Sequence, residues 1–316
     1  AAMHLRSWIG AALSAALAAA ASGSEAPPRE TVIQAMERAT AFMRSISTNG
    51  GYVGLLSLDT GERWGESGKQ AVKPGQIWIQ PPGTPTVGEA YLAAWNATGR
   101  KPFLEAARET GRALAWTQRK AGGWEYLIDA TGLQPDTVDF PKQEGRCTFD
   151  DDTSQSAIRF LMHLHQALDE PWLDQAVELG LRFLLDSQAD NGGFPQWSPP
   201  AGGYHDYYTF NDGAMNDIID TLLEAWQLYR REELLNAVKR AGDFIVLSQL
   251  PAPQAGWAQQ YDLDLKPAWA RAFEPPGLSS NATSGNIKTL VRIYQATEDA
   301  KYLDPIPAAI DWLERS

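Results

Sequence analysis

Aspartates in two loops are the residues of this chain best suited to chemistry. The first loop, 148–154, contains the consecutive carboxylates Asp150, Asp151 and Asp152 and leads into a predicted helix. One Asp is enough to cap a helix N-terminus. Three adjacent carboxylates repel one another unless a cation lies among them, and hard oxygen ligands of this kind select Ca²⁺ or Mg²⁺. We therefore expect a metal or catalytic role for this loop, with helix capping as the alternative.

A second loop, 207–215, places Asn211 and Asp212 before another predicted helix. Asp212 follows Asp150 by 62 residues, which is close to one period of the repeat described below. Asn-Asp alone is a common cap, so the expectation of chemistry rests on the pairing. Equivalent helix starts in successive repeats lie at the same end of the fold. Asp150 and Asp212 are therefore expected to face one cleft.

A third connection, 256–276, is rich in aromatic and amide side chains. Aromatic faces stack on sugar rings and amides bond to hydroxyls, so this composition predicts carbohydrate binding. Together with the second loop it supplies the expected substrate-binding residues, which are Asn211, Trp257, Gln259, Gln260 and Tyr261. Arg271 lies between two aromatic residues, and its alternative role is a structural pair with Glu274.

Helical periodicity dominates the chain from residue 31 onward. The pattern predicts helices over 30–46, 86–98, 101–119, 153–168, 171–188, 213–230, 232–248, 285–297 and 300–315. Gly-Gly-aromatic or Gly-aromatic turns close successive helix pairs, and their glycines Gly51, Gly123, Gly193 and Gly256 fall 72, 70 and 63 residues apart. Such units must pack against their neighbours. We expect an all-α fold, a partial (α/α) toroid of three to four hairpins whose long loops surround a cleft.

Composition and charge exclude some classes of function. The chain has 316 residues, 44% of them hydrophobic, and a formal charge of −12. Without a cationic run it is not expected to bind nucleic acid, because phosphate binding draws on clustered Lys and Arg. Cys147 is the one cysteine, so the chain has no intrachain disulfide.

The first residues have the pattern of a signal peptide. A positively charged start is followed by a small, apolar run from Trp8 to Ala21 that is too short to span a membrane. We predict a signal peptide at 1–23 and one catalytic domain at 24–316, secreted or periplasmic, not held in a membrane and monomeric. An amphipathic N-terminal helix is the alternative.

These segments together resemble the family 10 pectate lyases over residues 30–316. The segments that carry the resemblance are the Gly-Gly-aromatic turns, 148–153, 208–215, 256–262 and 270–276. The resemblance implies a partial α/α toroid that cleaves polygalacturonate or pectate oligosaccharides by Ca²⁺-dependent β-elimination, giving 4,5-unsaturated oligogalacturonides.

Carried onto this chain, the resemblance assigns calcium binding to Asp150, Asp152 and Asp212, and the role of base to Arg271. Two positions depart from the family pattern, Asp in place of an amide at 151 and Gly in place of the common Asp at 213. Further substrate-binding cations are expected near the C-terminus, where Lys288 and Arg292 are candidates.

Three other functions remain open at this point. An inverting glycoside hydrolase on the same toroid would use two of Asp150, Asp152 and Asp212 as acid and base. A carbohydrate-binding protein would use the same cleft without turnover. A triterpene-cyclase-like protein would share the repeated Gln-x₃-Gly-Gly-aromatic turns, but the chain is short for such a two-barrel enzyme.

Overall fold

Nine α-helices and five short 3₁₀ turns together account for just over half of the backbone that the computed structural model describes, which covers residues 26–68, 70–134, 137, 140 and 142–316. The helices are α1 (Arg29–Ser45), α2 (Thr84–Thr98), α3 (Lys101–Thr117), α4 (Thr153–His165), α5 (Pro171–Asp186), α6 (Ala214–Tyr229), α7 (Glu232–Ser248), α8 (Ser280–Thr297) and α9 (Ile306–Arg315). The predicted signal peptide, 1–23, lies outside the described residues. Within these residues, no helix has the length and apolar character needed to cross a bilayer.

The helices form two layers around a partial ring. Inner helices α2, α4, α6 and α8 pack side by side in chain order, and each forms a hairpin with the outer helix that follows it, α3, α5, α7 or α9. Helix α1 comes before the first hairpin and packs against α2 and α3. The predicted all-α, partial α/α toroid is confirmed, with four hairpins in the part of the chain that the structure describes.

The two layers differ in how much of each helix is buried. Outer helix α5 buries a stripe at helical spacing that includes Leu173, Val177 and Leu184, and exposes its opposite face. Inner helix α4 is buried almost all round, from Thr153 to Phe160 with the exception of Arg159. An inner helix therefore contacts neighbours on every side, and its N-terminus is held in a fixed position.

Three outer helices are followed, one or two residues after their last turn, by a glutamine whose side chain joins consecutive repeats. The Nε2 group of Gln118 donates to the carbonyl of Gly122 in its own turn (2.8 Å) and to that of Ala176 in α5 (3.0 Å). Gln188 and Gln249 repeat this arrangement, with acceptor carbonyls on Gly192, Ala237, Ala255 and Pro305. Gly122 has a φ of +113°, and a Cβ there would lie 2.3 Å from a carbonyl oxygen of α5. We call this arrangement the amide clamp.

Short strands in the loops form four two-stranded antiparallel sheets within the described residues. The paired strands are β1 (Leu55–Leu56) with β2 (Arg63–Trp64), β3 (Gln76–Trp78) with β4 (Leu127–Asp129), β5 (Cys147–Thr148) with β6 (Trp197–Ser198), and β7 (Tyr208–Thr209) with β8 (Gln260–Tyr261). Strands β5 and β7 directly precede the turns that lead into α4 and α6. They place those turns at the same end of the ring.

The last two helices begin at different residues from those the periodicity predicts. Helix α8 starts at Ser280 rather than 285, because the Ser279 hydroxyl accepts a hydrogen bond from the Ala282 N–H and caps the helix. The predicted helix 300–315 is a short 3₁₀ turn, Ala300–Tyr302, followed by α9. Pro305 has no N–H to continue a helix across this junction.

Candidate active site

The first acidic turn connects β5 to α4. Asp150–Asp152 form a single 3₁₀ turn in which Asp151 and Asp152 have left-handed backbone conformations, with φ of +50° and +59°. Residues with a Cβ rarely adopt this conformation. The backbone turns sharply here, so the three carboxylates do not project along one helix face.

The second acidic turn connects β7 to α6 and has the same backbone. Asn211–Gly213 form the 3₁₀ turn, and Asp212 and Gly213 have left-handed conformations with φ of +49° and +76°. The structural equivalent of Asp212 is therefore Asp151, 61 residues earlier, and the counterpart of Asp150 is Asn211. The 62-residue spacing used in the sequence analysis is one residue out of register.

Asp150, Asp151 and Asp212 come together across the two turns. One carboxylate oxygen from each lies within 4.8 Å of the others, and we call these residues the acidic triad. The Oδ2 atom of Asp150 accepts a hydrogen bond from the Tyr126 hydroxyl (2.8 Å), whereas its Oδ1 atom is buried without a partner. A buried carboxylate oxygen with no donor is unfavourable unless a ligand supplies the missing interaction.

Burial and the neighbouring carboxylates raise the pKa values of Asp151 and Asp212. Burial raises the pKa of Asp151 to about 7, and the nearby carboxylates of Asp150, Asp212 and Glu66 act in the same direction, while Arg271 lowers it. Asp212 lies at the more exposed edge, and its pKa is raised by partial burial and then by Asp150. Asp151 and Asp212 are therefore costly to ionise without a nearby cation. Hard oxygen donors at this spacing fit Ca²⁺.

Asp152, a predicted calcium ligand, lies outside the triad. Its Oδ2 atom accepts a hydrogen bond from Nη2 of Arg159 at 2.5 Å, and the two side chains are only 19% and 13% exposed. Nη1 of Arg159 donates to the Thr221 hydroxyl of α6 at 2.8 Å. Because Asp152 is engaged in this buried ion pair, the structure gives it a role in holding the turn, and Asp151 takes its place in the acidic cluster.

Only part of the predicted sugar-binding set lines the cleft. Asn211 and Gln259 are half-buried next to Asp212, and Nε2 of Gln259 donates to Oδ1 of Asn211 (3.0 Å). Trp257 and Tyr261 are fully buried in the core, and Gln260 is 4% exposed. The indole N–H of Trp257 donates to a backbone carbonyl of α7 (2.7 Å). These three side chains therefore present no face to a sugar.

Arg271 lies near the triad and is held by Glu274. Its Nε donates to Oε2 of Glu274 at 2.7 Å, and its Nη2 makes a second, shorter bond to Oε1. Half of the Arg271 side chain is exposed. The hydrogen bonds to Glu274 raise the pKa of Arg271, while partial burial opposes them. In this arrangement Arg271 is a cation. The two candidate substrate-binding cations near the C-terminus have other surroundings. Arg292 forms an ion pair with Asp220 of α6, and Lys288 is exposed.

Three residues that shape the site received no individual role in the sequence analysis: Asp151, Tyr126 and Arg159. A signal for Asp151 is present in the sequence: Thr-Phe precedes both acidic turns, and aligning Thr148-Phe149 with Thr209-Phe210 pairs Asp151 with Asp212. Tyr126 and Arg159 carry no comparable signal. Each reaches the turn from another part of the fold or from a later helical turn.

A family model described as pectic acid lyase matches residues 118–315, which is more than half of the chain. The chain belongs to the pectic acid lyase family. The resemblance found in the sequence is confirmed, and the protein is a polysaccharide lyase. A search of curated protein sequences finds no match.

Solved structures similar to this pectic acid lyase family member support the fold. Family 10 polysaccharide lyase from Cellvibrio cellulosa is 23% identical, with a TM-score of 0.55, covering 72% of this chain and 71% of that one. A mutant of the same lyase in complex with trigalacturonic acid is 22% identical, with a TM-score of 0.56 and the same coverage. A D-mannose isomerase is 13% identical, with a TM-score of 0.55, covering 92% of this chain and 72% of that one.

Proposed function

We propose that this polysaccharide lyase cleaves α-1,4-linked polygalacturonate by calcium-dependent β-elimination and releases 4,5-unsaturated oligogalacturonides. The acidic triad is the observation that carries the proposal, because it gathers three carboxylate oxygens within 4.8 Å at the starts of two neighbouring inner helices. The complex of the similar Cellvibrio lyase with trigalacturonic acid supports the substrate class.

Asp150, Asp151 and Asp212 would hold the calcium ion. The unpartnered buried Oδ1 atom of Asp150 and the raised pKa of Asp151 both fit a site that gains a cation in use. When bound there, Ca²⁺ neutralises the uronate carboxylate and stabilises the negative charge that develops as the C5 proton leaves. A cation in the cleft also lets a protein of net charge −12 bind a polyanion.

Arg271 has two candidate roles in the reaction. As a base it would remove the C5 proton, and the C4 oxygen would then leave with the bonding electrons as the double bond forms. The hydrogen bonds that Arg271 donates to Glu274 oppose this role because they stabilise the charged guanidinium. As a binding residue, Arg271 would stay charged and hold a substrate carboxylate. The resemblance favours the base, and the geometry of the free protein favours the binding role.

Measuring kcat and KM for Arg271→Lys and Arg271→Ala from neutral to alkaline pH, at saturating calcium, separates these roles. If Arg271 is the base, both variants lose kcat, because Lys keeps the charge without the planar fork or its reach. If Arg271 only binds the substrate, KM rises while kcat stays close to that of the wild type. That second result removes Arg271 from the base role.

An inverting glycoside hydrolase is the second candidate. In such an enzyme Asp151, whose pKa is raised, would be the general acid, and a neighbouring carboxylate would be the general base. The oxygens of the triad lie within 4.8 Å of one another. Inverting enzymes separate their two carboxyl groups by about 6.5–9.5 Å to leave room for a water molecule. The triad is too compact for that reaction, and the family match also favours elimination.

Purified protein incubated with polygalacturonate tests the proposal directly. We expect a near-ultraviolet absorbance from unsaturated products that disappears with a chelator and returns with calcium. Asp150→Ala and Asp212→Ala should each abolish most of this activity, and Asp243→Ala on α7, whose carboxylate pairs with Lys301, should not. Full activity after chelation, or products without the unsaturated chromophore, would contradict the proposal.

A further inference from the structure

Four side chains form a continuous stack beside the acidic triad. The Arg146 guanidinium carbon lies 3.7 Å from the ring centroid of Trp197. The Trp197 and His205 rings lie 3.3 Å apart and are nearly parallel, at 9°, and the Tyr204 ring follows at 3.8 Å from His205. We call this stack the side-chain column.

Backbone hydrogen bonds fix the side-chain column next to the first acidic turn. Trp197 pairs with Thr148 across β5 and β6, and the Phe149 N–H donates to the Gln196 carbonyl at 2.9 Å. The Gln196 N–H in turn donates to the carbonyl of His205 at 3.0 Å. The column is therefore tied to the residue directly before Asp150, at the end of the ring that carries the acidic triad.

Trp197 lies between Arg146 and His205 in the side-chain column. The pKa of His205 is lowered first by burial and then by the positive charge of Arg146, and the charge of Asp150 opposes both. The His205 ring is thus close enough to feel the positive charge of Arg146, which stacks on Trp197, and the negative charge of Asp150 in the first acidic turn. Because Arg146 stacks on Trp197 and is not part of the acidic triad, it is placed to meet a unit of a bound polymer other than the one held at the triad.

Arg146 has donors available for a ligand. Its side chain is 43% exposed, and its ion pair to Glu125 is a long one, 3.4 Å from Nε to Oε1. Within the described residues, its terminal nitrogens Nη1 and Nη2 have no hydrogen-bond partner. Stacking on Trp197 holds the guanidinium plane, and the N–H groups in that plane can bind a carboxylate through two parallel hydrogen bonds.

We propose that Arg146, oriented by Trp197, binds the carboxylate of a second galacturonate unit of the substrate chain, beyond the unit held at the triad. This inference rests on the proposed function and extends it to the recognition of the polymer. Two substrate carboxylates are then bound at separate sites, one through the cation of the triad and one directly by Arg146. A methyl-esterified unit cannot accept the same pair of charge-assisted bonds, so Arg146 selects for de-esterified substrate.

Kinetics on polygalacturonate at saturating calcium, with Arg146→Ala and a matched control, test this inference. The control is Arg182→Ala on outer helix α5, since Arg182 also pairs with a Glu through Nε, at 3.2 Å, and its side chain is 69% exposed. We expect Arg146→Ala to raise KM about tenfold with kcat within about twofold, because the lost contact binds ground state and transition state alike. Trp197→Leu should give a smaller rise in KM, and Arg182→Ala should give no change.

Substrate charge gives a second readout that a structural role would not alter. The KM difference between wild type and Arg146→Ala should shrink on partly methyl-esterified polygalacturonate, and thermal unfolding should be unchanged. An unchanged KM in Arg146→Ala, or an equal rise in Arg182→Ala, overturns this inference and leaves the proposed function standing. Absence of turnover by the wild type on either polymer overturns both.

Discussion

The two acidic turns share a backbone but stabilise it differently. Asp151 and Asp212 have nearly the same left-handed φ, +50° and +49°, and both supply an oxygen to the acidic triad. The next residue is also left-handed in both turns. It is Asp152, held by the buried ion pair with Arg159, in the first turn, and Gly213, which needs no such support, in the second. The requirement common to both turns is the middle aspartate.

The residues around the turns differ in charge as well. The first position is a carboxylate, Asp150, bound by Tyr126, but an amide, Asn211, bound by Gln259, in the second turn. This difference keeps the triad at three carboxylates rather than four. The position of Arg159 in α4 corresponds to Asp220 in α6, which pairs outward with Arg292 of α8. The comparison teaches that repeats can keep the geometry of a site while exchanging the side chains that form hydrogen bonds and ion pairs with it.

The largest expected effect is the loss of activity on removing either middle aspartate. If the turns are equivalent, Asp151→Asn and Asp212→Asn should each lower kcat/KM on polygalacturonate by about 10²- to 10³-fold, as losses of direct charge stabilisation do. Isothermal titration with calcium should show weaker binding in both variants, and Asp243→Asn serves as the control. An Asp151 variant with normal activity beside an inactive Asp212 variant would break the equivalence.

The next largest effect compares two ion pairs, the buried pair behind the first turn and its counterpart in α6. Arg159→Met leaves Asp152 buried without its partner, and we expect a loss of about 3–5 kcal/mol in the free energy of unfolding. Arg292→Met removes a partly exposed pair, whose arginine is 46% exposed, so its cost should stay below about 1 kcal/mol. Urea denaturation of both variants measures the difference. Equal losses would mean that the ion pair does not support the first turn.

A smaller effect concerns the glycine of the second turn. In Gly213→Ala the Cβ would meet Oδ2 of Asp217 at 2.9 Å in addition to the left-handed backbone. Gly99→Ala is the matched control, because Gly99 has a similar conformation at φ +67° and open space around it. We expect about 1–2 kcal/mol of destabilisation in the control and a further 1 kcal/mol or more in Gly213→Ala. Thermal unfolding of both variants gives the comparison, and identical losses would show that the contact with Asp217 is unimportant.

The smallest effect is a pH dependence of the metal-free protein. The pKa of Asp151 in the folded state is about 7, above its ordinary value of 3.8, so the folded state holds this proton more tightly than the unfolded state does. Stability from this group is therefore present at pH 4 and is lost as pH rises to about 7. Tm of chelated wild type should fall more across this window than Tm of Asp151→Asn. Parallel curves for the two proteins would contradict the pKa shift.

The helices and the end of the ring that bears the site could be predicted from the sequence, because apolar spacing and repeated turns depend on local residues. Asp150 and Asp212 were found in the same way, as carboxylates before helices in successive repeats. The sequence analysis did not assign Asp151 to the metal site, because it aligned Asp212 with Asp150 instead of with Asp151. The shared Thr-Phe before both turns contains the correct register.

The roles expected for Trp257 and Tyr261 show where composition misleads. An aromatic side chain suits a sugar and a hydrophobic core equally well, and Trp257 occupies the repeat position of the buried Trp124 and Phe194. The repeat itself therefore indicated a core residue. The side-chain column had no signal in the sequence, because Arg146 and Trp197 meet only through the pairing of β5 with β6.

The amide clamp has a consequence for how this ring tolerates change. Each glutamine reaches the next repeat through a backbone carbonyl, and every type of residue supplies that acceptor. The hydrogen bond between repeats therefore does not depend on which side chains the next repeat carries. Substitutions and insertions in the loops at the cleft can accumulate without loosening the frame, so the lyase can change what it recognises while its architecture stays the same.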